Sequence, residues 1–188
     1  MSENKVRFNL KNVHYAILTN GATPAWSTPV AVPGAVSLDL SPEGEVSNFY
    51  ADGIVYYRAV ANNGYSGTLE MARIPDAMMK DVWGDTLGAT SKVLTENANV
   101  EPKSFALLYQ IDGDADEEYY CLYNVGGQRP NIGSQTNEAT KEPRTQSVDI
   151  TAIPLSDGRV LARTTADTPS ATKTAWFNSV FVEAAQTT

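Results

Sequence analysis

Apolar residues in this chain recur at every second position, in short segments parted by glycine, proline or asparagine. Val6, Phe8 and Leu10 alternate with polar residues, and Val13, Tyr15 and Ile17 do so in the opposite phase. A period of two puts successive side chains on opposite faces of a strand, so a change of phase marks a bulge or a turn, here at Lys11-Asn12. Asn20-Gly21 closes the segment, and three prolines between Ala22 and Gly34 discourage a central strand. Pro33-Gly34 reads as a type II turn leading into Val36, Leu38 and Leu40, which alternate with Ala35, Ser37 and Asp39. Farther on, "SFALLYQI" and "EEYYCLYNV" flank the acidic turn "DGDAD". A second hairpin is expected around Ser156-Asp157-Gly158, and a closing strand in "KTAWFNSVFVE". The stretch from Gly126 to Gln146 is polar, punctuated by Gly and Pro, and expected to be mobile.

Only one segment reads as a helix. It runs from about Pro75 to Trp83, with Pro75 and Asp76 at its start, Gly84 at its end, and Met79, Val82 and Trp83 on one face. The pattern predicts a mainly β protein: a β-sandwich or open barrel of two sheets with one short flanking α-helix. With 188 residues, no internal repeat and no linker, the chain is expected to be one domain, 1–188.

The region before the helix poses a question of cover. Asn63-Gly64 favours a tight hairpin, and Leu69 and Met71 beyond it alternate as in a strand with one wet face. Tyr65 and Gly67 belong to the same motif. Before the turn, Ile54, Val55, Tyr56, Tyr57, Ala59, Val60 and Ala61 place apolar groups on both faces, broken mainly by Arg58. Such a strand lies either in the middle of a sandwich or against another molecule. Upstream of it, Ser41 to Gly53 reads as a long loop bearing Phe49 and Tyr50, and long loops are commonly functional.

Signals for chemistry are thin. His14 is the only histidine and lies in a strand-like segment; together with the single Cys121 it forms no usual zinc set. No nucleophile-elbow, Walker or dinucleotide motif occurs in a fitting context, and Gly64-Tyr65-Ser66-Gly67 sits in a hairpin. Asp112, Asp114 and Asp116 imitate the start of a calcium loop, but Glu117 stands where Gly is needed and Tyr123 where Glu is needed. A non-enzymatic protein without metal or cofactor is expected. Trp26, Trp83 and Trp176 leave a monomeric carbohydrate-binding module as the alternative. The net charge of −8 argues against phosphate-backbone binding. No apolar run is long enough for a membrane span, and no signal-peptide core follows the first residues, which with the lone cysteine suggests folding in a reducing cytoplasm.

The segment from Gly34 to Gly84 resembles the core of major tail proteins, the tail tube proteins of long non-contractile-tailed phages of Gram-positive bacteria. The resemblance rests on the V-S-L-x-L strand, the acidic loop ending in F-Y-A-D, N-N-G-Y-S-G-x-L-E, and I-P-D-x-x-x-K-D-x-x-G. "VRFNLKNVHYAIL" and "AWFNSVF" resemble the first and last strands of that family. The resemblance implies a structural virion protein, made in the host cytoplasm, forming hexameric rings that stack into a hollow tube for genome passage. It implies further partners: the tape measure protein, the tail terminator, and baseplate or distal tail proteins. Double-stranded DNA would pass without stable binding, and no membrane would be involved. By position, Ser41, Pro42, Glu43, Glu45, Phe49 and Tyr50 belong to a loop touching an adjacent subunit, and Asp39, Glu43, Glu45 and Glu70 lie near the lumen. No catalytic residues transfer, and no Ig-like decoration domain is expected after the tube domain.

Overall fold

The computed structural model describes residues 4–19, 23–134, 136 and 143–183. The expected turn at Asn20-Gly21 lies outside them. Alternation of apolar residues produces a large antiparallel sheet in the order β2 (Ala25–Trp26), β1 (Arg7–Thr19), β10 (Phe105–Gly113), β11 (Glu117–Gly127), β12 (Gln146–Ala152), β7 (Gly64–Met71), β4 (Ala35–Glu43), with β8 (Thr86–Leu87) and β9 (Leu94–Thr95) pairing apart from it. Its long members are β1, β4, β7, β10, β11 and β12. The proline-spaced segment supplies only β2 (Ala25–Trp26) and β3 (Val30–Ala31), two-residue strands on the edge of β1. β1 and β4 approach one another across a groove lined by Leu10 to His14 and Ala31 to Ala35, so the sheet curls into an open barrel.

One face of the sheet encloses the main core. Tyr15, Leu69, Leu107, Tyr109, Leu122 and Ile150 meet α1 (Asp76–Trp83), which buries Met78, Val82 and Trp83. Met78, rather than Met79, is the deeply buried methionine. Pro75 precedes the helix in an extended conformation, and Gly84 ends it at φ 73°, a left-handed cap that glycine adopts without strain. Trp83 donates its indole N–H to the Gly127 carbonyl at 3.0 Å, and Tyr15 donates its hydroxyl to Asp81 at 2.7 Å. On the opposite face of β1, β10 and β11, Ala16, Ala106, Leu108 and Cys121 are covered by Leu155, Trp176, Phe177 and Phe181. That double cover explains the uninterrupted apolar run of β10.

Some sequence expectations are decided by the structure and others are corrected. Lys11-Asn12 is a bulge within one continuous β1, with Asn12 at φ 53°, and a second bulge occurs at Asn9, φ 61°. Val36 is displaced by a shift between Ala35 and Ser37 and stays exposed, so only Leu38 and Leu40 of its set reach the core. The "closing strand" is instead a short helix, α2 (Ser170–Ala175), followed by an irregular segment, because Trp176 and Phe181 cap the second core from above. Ser156-Asp157-Gly158 does turn, but β12 and β13 (Leu161–Arg163) do not pair with each other. Both lie along β11, one beside Val125–Gly127 and the other beside Tyr120–Leu122. The stretch after Gly126 is tied down where described: Arg129 pairs with Asp85 at 2.7 Å and Glu96 at 2.9 Å, and Asn131 N–H donates to the Ser147 carbonyl.

The acidic turn is a clasp for the start of the chain. Asn4 donates to the Asp116 carbonyl and Glu118 and accepts from the Ala115 and Asp116 amides; a Cβ at Gly113 would collide with it. Asp112 pairs with Lys11 at 2.8 Å, Asp116 with Lys173, and Asp114 accepts the Lys5 amide at 2.8 Å. That amide, with the Val6 amide, holds the Asp114 carboxyl below the usual carboxylate range. A lowered folded-state pKa stabilises the fold while the group is ionised. The contribution is full above the ordinary carboxylate range near ~4 and fades as pH falls through the lowered value. Asp114→Asn is therefore expected to lower the melting temperature at pH 7 but not at about pH 2–3. Melting curves across that range check this, and a difference independent of pH contradicts the clasp's electrostatic origin.

Candidate assembly surfaces

The two-sided apolar strand is β6 (Ile54–Val60), and its partner is not β7 but β5 (Val46–Ala51). The supposed loop from Ser41 to Gly53 is thus regular: Ser41, Pro42 and Glu43 complete β4, and β5 follows after Gly44-Glu45. Carbonyls of Glu43 and Glu45 accept the amides of Asn63 and Ala61 at 2.8 and 2.9 Å, joining the two ladders. Residues 35–71 therefore form one long ribbon whose hairpin turn is Asp52-Gly53, with φ of 52° and 77°. Positive φ at both central residues is what a type I′ turn requires.

Asn63-Gly64, the turn expected from sequence, has a different task. Gly64 begins β7 at φ 105°, and a Cβ there would lie 1.9 Å from the Ala152 carbonyl oxygen. Gly67 is equally constrained, 1.8 Å from the Asp39 carbonyl oxygen. Both glycines permit close backbone approach within the sheet. Tyr65 packs against the main core, and Ser66 donates its hydroxyl to Glu43, as a strand residue and not a nucleophile.

Beyond Glu45 and Ala61 the ribbon leaves the body as an arm. None of its residues is buried and none joins either core. Cross-strand partners share a face. One face carries Phe49 opposite Tyr57 and Ala51 opposite Ile54; the other carries Val46 opposite Val60, Asn48 opposite Arg58, and Tyr50 opposite Val55. A bulge sets Tyr56 beside Val55. Phe49, Ile54, Tyr57, Tyr56 and Val60 are 62, 64, 64, 72 and 72% exposed. Within one chain, nothing among the described residues covers either face.

At its root the ribbon joins a polar surface. The outward positions of β4, β7 and β12 align in rows: Ser37, Glu70 and Ser147; Asp39, Thr68 and Asp149; Ser41, Ser66 and Thr151; with Glu43 at the end. Carboxylates and hydroxyls fill these rows, and no lysine or arginine does. Thr68 donates to Asp149 at 2.8 Å, and Ser37 to Glu70 at 3.0 Å. Hydroxyl donation from Thr145 and Ser37 draws the Glu70 carboxyl below its ordinary range, keeping it charged. Asp39, Glu43 and Glu70 thus share one surface, while Glu45 lies past the end of β4. Asp149 was not singled out from sequence. The alternation in "SVDITA" puts it on a wet face, but no local signal places β12 beside β7.

The other candidates lead elsewhere. His14 stacks on Phe177 with ring centres 4.5 Å apart and its Nδ1 beside the Asn12 carbonyl. Trp83 and Trp176 are buried, and the half-buried Trp26 donates its indole N–H to the Tyr123 carbonyl. Among the described residues no group of three or more His, Cys, Asp or Glu could hold a metal ion, and no helix is long and apolar enough to cross a membrane. No family model matches the sequence, and no curated protein matches it either.

Proposed function

We propose that this chain is a structural subunit that polymerises through its arm, and that the polymer is the hollow tail tube of a phage with a long non-contractile tail. The observation carrying this reading is the β5–β6 arm, apolar on both faces and uncovered by its own chain. Large apolar surface of this kind marks a protein contact. Because the arm and the body surfaces differ, contact between copies is heterologous and yields rings or filaments rather than a closed two-fold pair. Hexameric rings, the tape measure, terminator and distal tail partners, and residence in a virion come from the sequence resemblance. The acidic rows of β4, β7 and β12 suit a channel wall, since like charge keeps a DNA backbone from adhering.

Sedimentation and negative-stain electron microscopy of the purified chain over a wide concentration range test the proposal. Rings or tubes with an open lumen are expected, growing with concentration. A species that stays monomeric at every concentration, together with tubes of infected cells that lack this chain, rules it out.

A further inference from the structure

At the outer end of the arm, we infer that Asp52-Gly53 is a site of self-modification: in the unassembled chain Asp52 converts to isoaspartate, which disables the arm. The Gly53 amide nitrogen attacks the side-chain carboxyl carbon of Asp52, one water leaves, and a five-membered succinimide closes. Water then opens the ring at either carbonyl. One opening restores Asp52; the other leaves the backbone running through the side-chain methylene. The water lost is regained, so composition and mass do not change, and no reactant other than water takes part. Glycine suits the attacking position because it has no side chain to crowd the ring.

Five Asp-Gly or Asn-Gly pairs occur in the chain, and the structure sets this one apart. Asn20-Gly21 lies outside the described residues. At Asp112-Gly113 the glycine amide donates to the Asp116 carbonyl at 3.0 Å, while Lys11, Asn9 and Gln110 hold the carboxylate. At Asp157-Gly158 the amide donates to the Leu155 carbonyl at 2.9 Å, and Arg159 holds the carboxylate. Gly64, after Asn63, is buried in the sheet and donates its amide to the Asn62 side chain at 3.1 Å. In all three the attacking nitrogen is tied to another acceptor. Asp52 and Gly53 are exposed, and among the described residues the Asp52 carboxylate and the Gly53 amide have no partner. A Cβ built on Gly53 would meet nothing within 4 Å, so the ring closes in open space.

The consequence follows from the turn. Positive φ at Asp52 and Gly53 sets Ala51 opposite Ile54. An isoaspartyl link adds a backbone atom to a two-residue turn, and the type I′ geometry that matches the twist of the strands is lost. Phe49 and Tyr57 then no longer meet across the ladder, nor do Tyr50 and Val55, and both apolar faces come apart. This loss of function rests on the arm being the assembly element; the isomerisation does not. A neighbouring copy that covers the arm also restrains its tip, so the reaction falls on subunits left out of the polymer.

Warm incubation of the dilute, unassembled chain at neutral pH tests the site. Digestion is expected to yield two forms of the peptide holding Asp52, equal in mass. The second form resists an Asp-directed protease and is methylated by an isoaspartyl carboxyl methyltransferase. Peptides holding Asp112 and Asp157 are expected to stay single. Asp52→Gly keeps a turn of the same type and has no carboxyl to close the ring. It is expected to keep its capacity to assemble, while the parent loses capacity in proportion to its isoaspartyl fraction. Absence of isoaspartate at Asp52, under conditions where a free peptide of residues 50–54 forms it, overturns the inference. So does equal conversion at Asp112 or Asp157. Undiminished assembly of a fully converted parent overturns the disabling effect. A fresh parent that never assembles removes the tube reading, while the methylation assay still decides the site.

Discussion

A chain in which Val46–Val60 is excised and Glu45 is joined to Ala61 through an Asn-Gly turn is expected to fold normally and to lose assembly altogether. The junction is suitable because Ala61 already donates its amide to the Glu45 carbonyl, so a two-residue turn closes the existing ladder. Nothing buried is removed: the excised residues belong to neither core, and Leu38, Leu40, Leu69 and Met71 keep their packing. Magnitudes support a complete loss. Eight large apolar side chains are exposed on the arm: Val46, Phe49, Tyr50, Ile54, Val55, Tyr56, Tyr57 and Val60. Covering one such side chain fully contributes roughly 1.5–3 kcal/mol, while association costs roughly 4–15 kcal/mol in lost freedom. Covering the three large groups of the Phe49 face alone barely offsets that cost; covering both faces exceeds it. A far-ultraviolet spectrum still that of a β-sheet protein and an unchanged melting temperature, with only monomer in sedimentation, are the expected result. Normal tubes from the shortened chain would show that the arm is dispensable, and a fall in melting temperature of many degrees would show that it packs on its own body.

How far the sequence announced this arm can be judged from its two glycine turns. Asn63-Gly64 and Asp52-Gly53 are equally good type I′ dipeptides, and both glycines do take positive φ. Local preference could not decide between them. The decision is made by β12, which lies against Gly64–Met71 and needs Gly64 bare beside the Ala152 carbonyl, a contact between residues far apart in sequence. The apolar character of Ile54–Val60 on both faces was legible, and so was the demand for cover; the strand that pairs with it was not, because Ser41-Pro42 and Glu43-Gly44 look like breakers. Pro42 is tolerated since β4 is the edge of the sheet, with no ladder required on its outer side. The helix from Asp76 to Trp83 was legible for a simpler reason: Pro, Asp and Gly mark its ends within a single short segment. The C-terminal helix was not, because it has only six residues and "AWFNSVF" just after it resembles the last strand of the tail tube proteins. There, packing of Trp176 and Phe181 over Cys121 and Leu108 overrides local pattern.

Replacing Asp39 and Asp149 by lysine is expected to turn a tube that ignores DNA into one that retains it. These two acids flank Thr68 in the central row of the polar face and are exposed, and neither is part of an ion pair among the described residues. Thr68 loses its Asp149 acceptor but sits at the exposed face, where water replaces it; Glu70 is better left in place, since both Ser37 and Thr145 donate to it. The pair of substitutions changes the charge of each chain by +4, from −8 to −4, which leaves the protein acidic and soluble. The change is repeated by every subunit around the wall, so the number of phosphates met by lysine grows with tube length. Since affinity falls with salt in proportion to the phosphates neutralised, retention is expected near ~50 mM salt and its loss by roughly 200 mM, a steepness that nonspecific trapping does not show. Parent tubes are expected to retain no duplex DNA at either concentration. Micromolar, salt-sensitive binding by the parent would contradict an acidic channel wall. Variant tubes that assemble normally yet still ignore DNA would place the β4-β7-β12 face outside the lumen, because the new lysines would then face bulk solvent or a neighbouring subunit and not the path of the genome.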